Sequence, residues 1–264
     1  VVMGVQALTL DTLGSKSVAI GDSALKVQNL TTATDTYNVA VGDSAGEAVT
    51  TGIRNTIMGG LAGDALTDAD DNVAIGQFAL STETTGNKTT AIGTNSLGTQ
   101  NVAGDSYNVA VGYNAGFAVT TGLKNTLIGG LAGDSLTTNG LNVVVGYGAL
   151  STEDTGSRNV AIGVSALSTQ NADTTNYNVA VGYNAGSAVT TGIQNTLIGG
   201  LAGDALTDAD GNVVVGRGAL TTDTLGSQTT AIGSRTLNAQ NFTTATNTYN
   251  TAVGADAGLS VTTG

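Results

Sequence analysis

A chain that sets a glycine after a short apolar, β-branched run at every 17 to 21 residues has few folds open to it. The run reads Asn-Val-Ala-Val-Gly at 38–42, and its variants close at Gly4, Gly21, Gly42, Gly59, Gly76, Gly93, Gly112, Gly129, Gly146, Gly163, Gly182, Gly199, Gly216, Gly233 and Gly254. Subtracting neighbours gives 17 at most steps, with 19 or 21 at one step in four. The steps therefore group in fours, with periods of 72, 70 and 70 from Gly4 to Gly76, Gly146 and Gly216. A short period nested in a longer one is the mark of a solenoid. The expected fold is all-β, a parallel β-solenoid of about fifteen coils forming one repetitive domain over 1–264, with four-coil units at about 1–72, 73–142, 143–212 and an incomplete 213–264. Helical repeats do not fit, because the apolar spacing is two and Thr, Val and Gly are weak helix formers. At ~4.8 Å per coil the stack would be a rod of about 70 Å.

The residue before each glycine is Ile, Val or Met throughout, and three residues after it stands Ala, replaced only by Ser96 and Thr236. Four residues before it stands Asn in most coils, as at Asn38, Asn108 and Asn178, and stacked Asn residues form amide ladders. Side chains alternate along a strand, so the apolar residues one and three before the glycine share a face, expected to be the interior. The residue between them is then expected to face outward. It is apolar as well, as in Ala40, Ile57, Leu127, Val144, Leu197 and Val214. Two apolar faces imply cover on both, so this middle column is expected to pack against further copies of the chain. The one variable stretch of each period lies between the second and third coils and ends at Tyr37, Tyr107, Tyr177 or Tyr249, which marks loops along one edge. The opening at Val1 without its Asn and the stop at Gly264 without a cap lead to the expectation of a segment of a longer fibre.

Composition narrows the functional classes. With no histidine and no cysteine there is no imidazole base, no thiolate and no disulfide framework, so triads and His- or Cys-based metal sites are excluded. A net charge of −12 with eight basic residues disfavours nucleic acid and anionic membranes as partners, and no apolar run reaches the length of a spanning helix. A non-enzymatic role without cofactor is expected. Carboxylates in turns at Asp68, Asp70, Asp71, Asp208 and Asp210 are the candidates for glycoside hydrolysis, which needs a paired acid and base; turn residues of this kind are ordinarily solvated, and the third copy of the turn has none. Gly-Gly-Leu-Ala-Gly-Asp, at 59–64 and again from Gly129 and Gly199, makes Asp64, Asp134 and Asp204 weak candidates for calcium, although the register of a calcium-binding nonapeptide is not met. Thr pairs such as Thr50-Thr51 are adjacent rather than two apart, which disfavours a flat ice-binding array. The four tyrosines are candidate surface-contact residues, able to stack on sugars or to anchor each loop.

Two motifs carry a resemblance. Ser17-Val-Ala-Ile-Gly21 and Asn159-Val-Ala-Ile-Gly163, each followed by Ala-Leu, resemble the head repeats of trimeric autotransporter adhesins. The longer Tyr-Asn-Val-Ala-Val-Gly-Tyr-Asn-Ala-Gly with Asn-Thr-Leu-Ile-Gly is similar to the repeats of phage tail fibres. The resemblance implies a left-handed β-roll, a homotrimer and an extracellular place, on a virion tail fibre or, alternatively, on a bacterial cell surface as an adhesin. It implies that two further copies are the partners, with a host-surface glycan or protein as the target. It carries over no catalytic residue. A polysaccharide-degrading spike is the enzymatic alternative.

Overall fold

The computed structural model describes residues 1–264 as an all-β parallel solenoid without helices. The chain divides into two compact units, Val1–Gly130 and Leu131–Gly264. The first unit holds Val2–Met3 (β1), Gly14–Ser15 (β2), Val18–Ile20 (β3), Thr34–Asp35 (β4), Val39–Val41 (β5), Thr56–Met58 (β6), Val73–Ile75 (β7), Gly86–Asn87 (β8), Thr90–Ile92 (β9), Gly104–Asp105 (β10), Val109–Val111 (β11) and Thr126–Ile128 (β12). Its main sheet stacks β1-β3-β5-β6-β7-β9-β11-β12, one strand per turn. The second unit stacks Val143–Val145 (β13), Val160–Ile162 (β14), Val179–Val181 (β15), Thr196–Ile198 (β16) and Val213–Val215 (β17). Gly226–Ser227 (β18) stands aside, Thr230–Ile232 (β19) continues the stack, Thr246–Asn247 (β20) pairs with β18, and Thr251–Val253 (β21) ends it. Pairing is parallel and in strict register, as in Ala40↔Ile57 and Ala180↔Leu197. Two-residue ladders, β2 with β4 and β8 with β10, support the variable loops, and a bridge from Ser157 to Thr175 takes that place in the third period.

Within each unit the closing glycine of a strand lies directly on that of the next turn. A side chain at Gly42, where φ is +141°, would put Cβ 2.5 Å from the carbonyl oxygen of Gly59. No L-residue fits that approach. The corners are built from left-handed residues, for example Ser23 and Leu25 with φ of 55° and 49°. A leucine held there is strained by about 1–2 kcal/mol, which the burial of its side chain, worth about 1.5–3 kcal/mol, offsets; Leu25, Leu80, Leu150 and Leu220 are fully buried.

The interior is about one side chain across, and its sizes are matched. Where the strand centre is Ile57 or Leu197, the corner positions beside it are glycine: a Cβ on Gly46 would meet Ile57 Cδ1 at 2.8 Å, and one on Gly203 would meet Leu197 Cδ2 at 2.9 Å. Where the centre is Ala74 or Ala161, Leu80 or Leu167 supplies the volume instead. The residues three after the glycine are buried in every coil but the last, where Ala257 is partly exposed.

The facing of the strand is the reverse of the sequence expectation. Ala40, Ile57, Leu127, Val144, Leu197 and Val214 have no exposed surface within the single chain. They form its core and cannot touch another copy. The residues on either side point outward, so that Met58, Ile128 and Ile198 are 41%, 39% and 38% exposed. The cause lies with the Asn column, which shares parity with the strand centre. Asn55 lies inside: its Nδ2 donates to the Ala69 carbonyl at 2.7 Å, and its Oδ1 accepts the Asn72 amide at 3.0 Å. The same pair of bonds is made by Asn38 to Gly52 and Asn55. The ladder thus runs mainly from side chain to backbone, satisfying groups that no strand pairing reaches.

Candidate interaction surface

Every residue one or three before a closing glycine is Val, Ile, Met or Thr. In each unit these residues form two parallel columns on the outer face of the main sheet, without an ionisable side chain. An antiparallel sheet facing water normally alternates apolar with polar residues, and a parallel sheet is normally covered on both faces. A continuous, half-exposed apolar face of this kind marks an interaction site. Tyr113, Tyr147 and Tyr183, placed one after the glycine and close to 60% exposed, border it.

A second edge lies five residues before each closing glycine. Tyr37, Tyr107, Tyr177 and Tyr249 occupy it in the third coil of each period, and Lys16, Arg54, Lys88, Lys124 and Arg158 in the neighbouring coils. Five of the eight basic residues therefore share one column rather than being scattered. The spacing from the glycines would have revealed it. All of them take left-handed backbone, with φ between 52° and 62°. Lys16 pairs with Asp35 at 2.6 Å, Lys88 with Asp105 at 2.5 Å and Arg54 with Asp71 at 2.5 Å. The hydrogen bonds from these cations hold the carboxyls of Asp35, Asp105 and Asp71 below the ordinary range. The Lys16 ammonium stands 5.0 Å from the Tyr37 ring centre, and Lys88 stands 5.3 Å from that of Tyr107. Each of these tyrosine hydroxyls also lies within hydrogen-bond reach of the same acid, at 3.4 and 3.0 Å. Such contacts tie the loop end to the preceding coil, the anchoring role, while about half of each ring stays exposed.

The acidic candidates do not assemble a reaction centre. Asp70 Oδ1 accepts the Ile53 amide at 2.8 Å, and Asp210 Oδ1 accepts that of Ile193 at 2.8 Å; Asp208 accepts a bond from the Thr191 hydroxyl, and Asp71 is bound to Arg54. Asp68 and Asp208 are exposed, and Asp68 accepts only from its neighbour Thr67, at 3.2 Å, so the fastening of turns falls to the other four.

Asp64, Asp134 and Asp204 each keep one buried oxygen, Oδ1, without a hydrogen bond. No group of three acidic side chains gathers around them to ligate an ion. Burial raises all three carboxyls above the ordinary range. Between the unfolded value and the raised folded one, the folded chain binds more protons than the unfolded chain, so stability increases as pH falls through that window. The combined change of Asp64, Asp134 and Asp204 to Asn is expected to raise the urea midpoint at about pH 7 and to bring no gain at about pH 3, on either side of the carboxylate range. Denaturation curves at the two pH values check it.

Comparison with protein-family models, with curated proteins and with solved structures gives no match to this chain. No helix is long and apolar enough to cross a membrane.

Proposed function

We propose that this chain is a shaft segment of an extracellular homotrimeric fibre, a phage tail fibre that extends and positions receptor-binding elements toward a bacterial surface. The observation that carries this reading is the uncharged outer face of the main sheet, whose columns repeat with every turn. Three left-handed coils packed through that face would cover it from water, at about 25 cal/mol per Å² of apolar surface. A solenoid suits a spacer, because length follows repeat number and the backbone hydrogen bonds run from turn to turn. Three copies also multiply weak contacts made by the loops. The repeats similar to those of tail fibres favour the virion over the cell surface.

The experiment is the mass in solution and its dependence on the outer face. The chain is expected to run as a trimer in multi-angle light scattering. Changing Met58 and Ile75 together to Glu is expected to reduce the mass to that of one chain or to weaken association by at least about a hundredfold, since a buried unpaired charge costs several kcal/mol. A parent chain of monomeric mass would exclude the proposal.

A further inference from the structure

The interior carries one feature that neither packing nor an outer surface explains: in each period an acid, a glutamine and an asparagine are linked across three successive turns. Gln100 Nε2 donates to Glu83 Oε2 at 3.0 Å, and Gln100 Oε1 accepts from Asn108 Nδ2 at 2.8 Å. The Glu83 carboxylate also accepts the amides of Thr84 at 3.0 Å, Gly86 at 2.8 Å and Val102 at 3.1 Å. All three side chains are fully buried. Each donor to the carboxyl is a backbone or side-chain amide N–H rather than a cation.

The three other periods repeat the arrangement. Gln28 joins Asp11 at 2.6 Å to Asn38 at 2.8 Å. Gln170 joins Glu153 at 2.9 Å to Asn178 at 2.9 Å, and Gln240 joins Asp223 at 2.7 Å to Asn250 at 2.8 Å. Asp replaces Glu in two of them, yet the amide three residues on, as Gly14 or Gly226, is bound in the same way.

The place of this relay in the chain is its meaning. The glutamine opens the one stretch of variable length in each period, and the asparagine closes it at the foot of the next strand. Ten residues separate the two in the first and fourth periods, and eight in the second and third. Between them length and sequence differ between periods, from Asn29-Leu-Thr-Thr-Ala-Thr-Asp-Thr to Asn101-Val-Ala-Gly-Asp-Ser, while Asn opens and Tyr ends every stretch. The glutamine–asparagine distance nevertheless stays within 2.8–2.9 Å. Register elsewhere is set by short turns of fixed length; here the length is not fixed, and besides the short ladders at the loop ends, as Gly104 on Gly86, the relay makes a buried connection at the loop base.

We propose that the buried acid–glutamine–asparagine relay is a clamp across the base of each variable loop, which holds the next strand in register whatever the loop above it contains. The loop then becomes a position where the chain accepts new length and sequence while the stack below is unchanged. The clamp lies within one chain and does not depend on the assembly proposed above.

Two insertions of the same flexible Gly/Ser segment of about eight residues test it, since doubling a loop's length costs only about a threefold factor in closure. One goes into the clamped loop between Ala103 and Gly104; the other goes between Asp68 and Ala69, in a connector without the relay. Amide hydrogen exchange is followed in both chains, at Gly86, Val102 and Val109 for the first and at Asn72 and Val73 for the second. The clamped insertion is expected to change protection by less than about tenfold and the unclamped one to lower it by more than about a hundredfold, beyond the closure term. Equal behaviour of the two sites, whether both tolerate or both fail, overturns the clamp. A third chain adds Gln100→Ala to the first insertion. Loss of protection in it supports the proposal, and retained protection overturns it. If that chain does not fold, the comparison of the two sites still decides.

Discussion

Replacing Gly112 by Ala is expected to destabilise the chain by about 3 kcal/mol or more, with a thermal midpoint several degrees lower. The residue has φ of +141°, and its Cβ would stand 2.5 Å from the Gly129 carbonyl oxygen, an overlap with backbone that no rotamer relieves. The strand below is hydrogen-bonded in register to the one above, so relief requires moving a whole turn. Gly148→Ala is the control. Its φ of +60° is left-handed as well, but nothing stands within 4 Å of its added methyl, and the expected cost is about 1 kcal/mol. Thermal melts of the two variants separate close approach from backbone conformation. Equal losses would mean that conformation alone selects glycine in the closing column.

That column is also what made the fold legible. Within each unit, closing glycines such as Gly42, Gly112 and Gly182 lie against the backbone of the next closing glycine and leave no room for a side chain, so the spacing of 17 residues persists wherever the connector keeps its length. The strands fall where Val-Ala-Val and its variants stand, and the loops fall where the spacing lengthens. Facing was not legible by the same route. Both parities of a three-residue strand are apolar, and the column that is Ile, Val or Met throughout is the one expected inside. The structure places Ala40 and Ala180 inside and Val41 and Val181 on the outer face, and the inner column also takes Ile57, Val144 and Leu197, so residue size does not decide the facing. Asn38 held the answer: a side chain that bonds to the buried Gly52 carbonyl must lie inside, and Ala40, two residues on, lies with it.

The acid of the clamp could not be read from composition either. Asp11, Glu83, Glu153 and Asp223 stand among Thr and Ser in stretches with the character of a solvated loop, and three of them are fully buried. Their signal is a spacing, 17 residues from acid to glutamine in every period, which has meaning only once a turn of 17 is known to bring the two side by side. The same holds for Lys16, Arg54, Lys88, Lys124 and Arg158, which align only when measured from the closing glycine.

The corrected facing yields the second large effect, from two neighbouring residues. Ala110→Asp is expected to abolish cooperative folding and Val111→Asp to leave it in place. Ala110 is fully buried between Ala91 and Leu127 in the register of the sheet. A carboxylate there meets methyl groups, and the cost of an isolated buried charge, several kcal/mol at least, is a large part of a stability of about 5–15 kcal/mol. Val111 projects from the outer face, where a carboxylate is hydrated in the single chain. Circular dichroism with thermal melting is expected to show no transition for Ala110→Asp. For Val111→Asp it is expected to show the parental β signal, with a transition displaced only by whatever assembly contributes. Light scattering on the same samples reads that contribution: a folded chain of lowered mass locates the association surface in the Val111 column. The opposite pattern, with Ala110→Asp folded and Val111→Asp unfolded, would return the strand to the facing first expected from its sequence.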